Sequence, residues 1–261
     1  MQPHGLKPAL QTSGIKARVA SVAVLSPREA IAELLAAHVE DCERENWAPF
    51  RAWRGKVGEK QVFVLVCGEG PKAAVAGALQ LMATCPGAPI VQLDECLALN
   101  DGFAQGHANS APDGSPLKPG ELIVIESACA FNKEEYYLLH ASPTPLERLP
   151  RVAPKLSPME PFRSISDAKI KKVKIGSCEA RIDFPSQRRW LRDKYGFDAF
   201  DTISHAVGAV IEANGGVWMP FGLVASLAGE PRHPSDDIAS LYAPAIASFI
   251  SWCRAASNPS A

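Results

Sequence analysis

The sequence of 261 residues is short of the features that would assign it quickly to a class. No C-x-x-C occurs among its seven cysteines (Cys42, Cys67, Cys85, Cys96, Cys129, Cys178 and Cys253), which are odd in number and widely spaced. Zinc sites and disulfide frameworks are built from close pairs, so free thiols in a reducing compartment, cytoplasmic or equivalent, are expected. No metal and no cofactor is expected. Apolar runs approaching the ~20 residues of a membrane-spanning helix are missing. So is an excess of either charge: 27 Lys and Arg against 28 Asp and Glu leave a formal net charge of -1. That excludes the basic field that draws in nucleic acid and gives no reason to expect a membrane surface as partner. Internal repeats and an inter-domain linker are also lacking. Before Glu29 there is no acidic residue, while Lys7, Lys16, Arg18 and Arg28 are basic. Such a bias suits an organellar presequence, but Pro3 and Pro8 break an amphipathic helix there and arginine is sparse. Residues 1–17 are therefore read as a flexible tail.

What is present suffices for one large α/β domain over residues 18–256, with 47% hydrophobic and 21% charged residues. Residues 19–25 (VASVAVL) have strand length and β-branched content, and PREAIAELLAAH follows with apolar residues at helical spacing. FRAWRGKV and KQVFVLV read as strands joined by a hairpin at Gly58-Glu59. CGEGPKAAVAGALQLMA reads as strand end, tight turn and helix, and APIVQL (88–93) as a buried strand. Residues 100–119 are a long loop by their Gly, Pro, Asn, Ser and Asp content. ELIVIE (121–126) returns to strand. Residues 141–167 carry six prolines and read as an irregular insertion. KIKKVKIG alternates like a half-exposed strand. SQRRWLRDKYG is a helix ending at Gly196, residues 202–213 a second helix, and VWMPFGLVAS a strand. Ser235, with Asp236 and Asp237, caps a last helix running to about Ala255. Strands alternating with helices predict a three-layer domain with a mixed, mostly parallel central sheet flanked by helices.

Three stretches carry a resemblance. Residues 62–82 (VFVLVCGEGPKAAVAGALQLM) give a strand, G-x-G and an alanine-rich helix. Residues 118–125 (KPGELIVI) give Pro-Gly-acid and a strand after the long loop. Residues 200–227 (FDTISHAVGAVIEANGGVWMPFGLVASL) give a helix, a short turn, Pro-Phe and a final strand. Taken in order, they resemble the nucleoside phosphorylase and nucleosidase superfamily, and S-H-A-V at 204–207 is most like the hopanoid-associated and methylthioadenosine/S-adenosylhomocysteine nucleosidase branches. The resemblance implies a purine nucleoside or base bound at the C-terminal ends of the strands. It also implies an acid to protonate the leaving purine and a carboxylate to hold the ribose hydroxyls. The transition state is a cationic sugar, which carboxylates steady.

Residue by residue, that chemistry is missing. The Met-Glu of the family's D-M-E falls on Thr202 and Ile203, with only Asp201 retained. The purine-protonating Asp falls on Gly229, with Ala228 in the preceding Ser position and Glu230 adjacent. The acid after the first strand meets Glu29 or Ile31, depending on register. The glycine turn after APIV reads Asp94-Glu95-Cys96-Leu97-Ala98, which closes the backbone approach to a ligand. Ile165-Ser166-Asp167 spells the family's I-S-D but lies too early in the chain, within the Pro-rich insertion. The reading is a catalytically degenerate relative acting as a binding or structural subunit, a homodimer or the partner of a related subunit. The alternative is an active N-ribosyl hydrolase using displaced acids: Asp201, Glu230 and Glu29 or Glu95.

The remaining candidates each carry a plain reading beside the functional one. Gly68 and Gly70 serve a tight strand-to-helix turn, or line a ligand with Lys72 near the helix start. His205 packs on an apolar helix rather than acting in catalysis. Asp94 and Glu95 are solvated at a strand end, or belong to a repurposed polar pocket. Cys96 is a small buried hydrophobe rather than a nucleophile. Trp190, Trp218, Trp252 and Phe221 are core. Lys169, Lys171, Lys172 and Lys174 form one exposed strand face, or a docking patch together with Arg188 and Arg189.

Overall fold

The computed structural model of the protein describes residues 21–99, 116–154, 170–230 and 238–255. The first described elements are β1 (Ser21–Ser26) and α1 (Glu29–Ala36), as the apolar spacing predicts. A meander follows: β2 (Glu40–Trp47), β3 (Phe50–Val57) and β4 (Lys60–Val66). The hairpin between β3 and β4 turns at Gly58, whose φ of 61° suits glycine. Next come α2 (Pro71–Thr84), β5 (Ile90–Ala98), β6 (Leu122–Ala130) and α3 (Lys133–Leu138). The described part of the Pro-rich stretch is not wholly irregular, since β7 (Arg151–Val152) pairs with β6. The chain ends with β8 (Lys171–Ser177), α4 (Pro185–Tyr195), β9 (Ala199–Asp201), α5 (Ser204–Ala213), β10 (Trp218–Leu227) and α6 (Ile238–Ala255). The tail of residues 1–17, the loop from 100 to 115, residues 155–167 of the insertion with its I-S-D triplet, Lys169 and the cap at Ser235 lie outside the described residues.

The strands form one mixed sheet in the order β10-β6-β8-β9-β5-β1-β4-β3-β2, and β10 pairs again with β5. The second pairing closes β5, β10, β6, β8 and β9 into a ring, from which β1, β4, β3 and β2 extend as a wing. Five of the ten ladders are parallel and five antiparallel. Short hairpins force the antiparallel meander, and helical crossovers supply parallel pairs such as β1–β4 and β1–β5.

Helices cover both faces. Ile31 and Leu35 of α1 and Tyr242, Ile246 and Phe249 of α6 pack on Val22, Val24, Leu93 and Phe221. On the other face, Ala74, Ala78 and Leu81 of α2 and Val207 and Ile211 of α5 pack on Ala23, Leu25, Ile90 and Trp218. A third cluster, rich in aromatics, gathers Phe131, Tyr136, Trp190, Tyr195, Phe197 and Phe200 around α3 and α4. Gly77 of α2 lets the helix close on the sheet, because a Cβ there would lie 2.6 Å from the Cys67 side chain. Among the described residues no helix is long and apolar enough to cross a membrane. All seven cysteines are free thiols.

Candidate functional site

The site begins with a fork in β5. One edge of this strand pairs with β10 from Ile90 to Ala98. The opposite edge pairs with β1 at Ile90–Gln92 and with β9 at Leu97 and Ala98. Residues 93–96 therefore bridge a gap between β1 and β9, just beyond the C-terminal end of β1. A crevice at such a change of strand order is where open α/β sheets place ligands. The sequence reading ended this strand at Leu93, whereas it continues through Ala98. Asp94, Glu95 and Cys96 are thus strand residues, not a substitute for a glycine turn.

Asp201 ends β9 beside the fork and is 5% exposed. Its two carboxylate oxygens accept the Ser204 N–H at 3.2 Å each, and the Ser204 hydroxyl donates to Oδ2. Asp201 therefore caps the start of α5, where an anion meets the positive end of the helix dipole. Gln92 Nε2 donates to Ser204 Oγ at 2.7 Å, and Trp218 Nε1 donates to Gln92 Oε1 at 3.2 Å. Ser177, at the end of β8, donates to Asp201 and accepts the His205 N–H at 3.2 Å. Burial raises the Asp201 carboxyl above its ordinary range, while the bonds from Ser204 and Ser177 hold it down.

Asp94 is 6% exposed, and its Oδ1 accepts the N–H of Glu95 at 2.7 Å. Burial first, then the charge of Asp201, pushes its carboxyl well up. Glu95 accepts the Tyr242 hydroxyl at 2.8 Å and pairs with Arg28 Nε at 3.3 Å. Arg28, which precedes α1, also pairs with Glu69 in the β4–α2 turn. Gly68 and Gly70 shape that turn with φ of 83° and 89°, as the plain reading expects. Lys72 beside them is exposed. Cys96 is buried, and burial followed by the carboxylate of Asp201 drives its thiol well up, so it holds no thiolate nucleophile at neutral pH.

The structure thus brings together Asp94, Cys96 and Asp201, with Glu95 alongside. It separates the other acids among different cations. Glu29 pairs with Arg51, and Glu230, about half exposed, meets Arg188 at 3.4 Å. Ile31 is fully buried under α6. Ile203 is 1% exposed and packed in the apolar cluster with Val207 and Ile211, while Thr202 is partly buried. Burial lowers the half-buried His205 imidazole below its usual value. Gly229 has φ of 77°, and a Cβ there would lie 2.7 Å from the carbonyl carbon of Phe184 and 3.0 Å from the nitrogen of Pro185. Backbone occupies the space that a side chain at this position would need.

Sequence reasoning passed over Gln92, Ser177, Ser204, Arg28 and Tyr242 as site residues. Gln92 did leave a signal, because it is the one polar residue in the buried APIVQL run. Among the described residues, the basic docking patch loses Arg188 and Lys171 to other partners. Arg188 is buried and donates to the Ala228 carbonyl at 2.9 Å, and Lys171 is tied to Glu121 and the Pro116 carbonyl.

No protein-family model and no curated protein matches the sequence. Solved structures do match. The 5'-methylthioadenosine/S-adenosylhomocysteine nucleosidase of Campylobacter jejuni superposes with a TM-score of 0.70 at 12% identity, over 90% of this chain and 98% of that one. The chain has the nucleosidase fold. The Neisseria meningitidis nucleosidase in complex with methylthio-immucillin-A gives 0.62 at 16% identity, over 91% and 94% of the two chains. Futalosine hydrolase of Helicobacter pylori strain 26695 gives 0.67 at 11%, over 91% and 97%. These neighbours support the superfamily resemblance in fold and do not single out the hopanoid-associated branch.

Proposed function

We propose that this chain is a catalytically degenerate nucleosidase-like protein, acting as a binding or structural subunit rather than cleaving N-glycosidic bonds. The supporting observation is Gly229. The position that the resemblance assigns to the purine-protonating acid has left-handed backbone with Phe184 packed against it, so restoring a side chain means moving main chain. Ile203, in place of the ribose-binding carboxylate, is packed as core. Asp201, the retained acid, is committed to capping α5. A missing general acid alone costs about 10²–10⁴-fold in rate, and the ribose-holding carboxylate is missing besides. A purine nucleoside or base remains the ligand class that the fold supports, with a second copy or a related subunit as partner.

The test is incubation with methylthioadenosine, adenosylhomocysteine, adenosine and inosine, with and without phosphate, following free base by chromatography. No release above the uncatalysed background is expected. Release that disappears in Asp201→Asn or Glu230→Gln would overturn the proposal in favour of an active hydrolase using displaced carboxylates.

A further inference from the structure

Two buried carboxyl groups belong to the β5 fork, and their placement follows from the strand register. Gln92, Asp94 and Cys96 alternate onto one face of β5. Gln92 reaches the Asp201 turn by donating to Ser204. Cys96 reaches it from the other side: the β5–β9 ladder pairs Leu97 with Phe200 and Ala98 with Ala199, and one further step sets Cys96 opposite Asp201. Asp94 lies between these two residues and therefore faces Asp201. Both aspartates are more than nine-tenths buried.

Their surroundings are unequal. Asp201 collects donors from the Ser204 N–H and hydroxyl, from Ser177 and from the Ile203 N–H. Asp94 accepts from the N–H of Glu95, whose own carboxylate, on the other face of β5, adds a second negative charge nearby. The cation facing Asp94 is Arg28, which already pairs with Glu69 and Glu95. Cys67 at the end of β4 and Cys96 on β5 also face Asp94, and burial keeps both thiols protonated, that of Cys67 pushed up to about 12. His205 of α5 enters the cluster through its backbone N–H to Ser177. Two anions so placed in a low-dielectric interior repel each other, and the one with fewer donors takes up a proton.

We propose that the buried Asp94 and Asp201 carboxyls bear a single negative charge at neutral pH, with Asp201 as the anion and Asp94 as the acid, so that ionisation of Asp94 loosens the fork and the start of α5. The direction of the Asp94 shift agrees with this. A carboxyl raised in the folded state contributes stability that is fully present below its unfolded value of about 3.9 and is lost as pH rises towards the folded value. Across that window the folding constant falls up to tenfold per pH unit.

The experiment compares chemical denaturation of the wild type and Asp94→Asn between pH 5 and 9. Asparagine keeps the shape and removes the charge. The ratio of the two folding constants should move in favour of Asp94→Asn by tenfold or more across the range, because other titrations cancel in it. Parallel profiles would overturn the proposal. A second measurement needs no variant: carbon-13 spectra of wild-type protein labelled at aspartate carboxyl carbons. One carboxyl should remain protonated at pH 7, above Asp198, which burial pushes to about 6. If every aspartate is ionised by pH 7, the proposal fails. Neither readout depends on whether the protein releases base.

Discussion

Replacing Gly229 by Asp puts back the residue type that the resemblance calls for, and the structure sets what that costs. The residue sits at φ 77°, a left-handed conformation that costs a non-glycine residue about 1–2 kcal/mol. The new Cβ would also lie 2.7 Å from Phe184 C, 2.9 Å from Phe184 O and 3.0 Å from Pro185 N. All three are main-chain atoms at the start of α4, so no rotamer change relieves them. Forced overpacking of this kind adds about 1–3 kcal/mol. Gly215→Asp serves as control, since Gly215 has φ of 70° but nothing within 4 Å of its Cβ. Both variants bear the conformational cost, and Gly229→Asp alone bears the collision. Urea denaturation should place Gly229→Asp below Gly215→Asp by about 1–3 kcal/mol, equivalent to roughly 2–4 °C per kcal/mol in melting temperature at this size. Base release should stay at background in both. Equal stabilities, or nucleosidase activity appearing in Gly229→Asp, would refute the claim that backbone has closed this position.

Three further outcomes follow from the same coordinates. Ser204→Ala removes the hydroxyl that links Gln92 to Asp201 and leaves buried polar groups short of a partner; denaturation should show a loss of about 1–3 kcal/mol. Gly208→Ala drives a methyl to 2.7 Å from the Trp218 ring, so α5 must shift off the sheet, at a cost of about 1–3 kcal/mol read by the same method. With an aromatic disulfide reagent, exposed Cys42 should react in the native protein, whereas Cys67, Cys96 and Cys253 should react only on unfolding.

Segments with a local signal were legible in the sequence. The β1 strand, the β3–β4 hairpin, α2 behind its glycine turn and α4 ending at Gly196 each follow from apolar period, glycine or proline within a dozen residues. β2 was missed because it is an edge strand paired only with β3, and EDCERENW buries nothing that would impose alternation. β9 is three residues long, too short for any period. Closure of the ring by β10 on both β5 and β6 joins strands far apart in the chain, which periodicity cannot report. The site divides in the same way. Asp94 and Asp201 were found by position in a motif, but the bonds that define their roles span 112 residues from Gln92 to Ser204 and 126 from Trp218 to Gln92.

A site built to receive a nucleoside keeps some polar groups waiting for it, and their energy is recovered when ligand arrives. Here most such groups have already found partners, the buried Ser226 hydroxyl of β10 excepted. Arg28 joins Glu69 and Glu95, Tyr242 donates to Glu95, and Asp201 holds the start of α5; away from the fork, Glu230 lies against Arg188. A nucleoside that displaced these partners would exchange protein hydrogen bonds for similar ones and gain little. Any binding that survives should therefore rest on the base and its stacking rather than on ribose hydroxyls held by carboxylate. Asp201→Asn consequently has two separable effects. It should lower stability by about 0.3–1 kcal/mol through the lost negative charge at the positive end of the α5 dipole, and it should leave the affinity for a purine base, measured by calorimetry on the folded variant, unchanged. If affinity falls tenfold or more while the fold holds, Asp201 contacts the ligand, and its bonds to Ser204 are a resting state rather than its purpose.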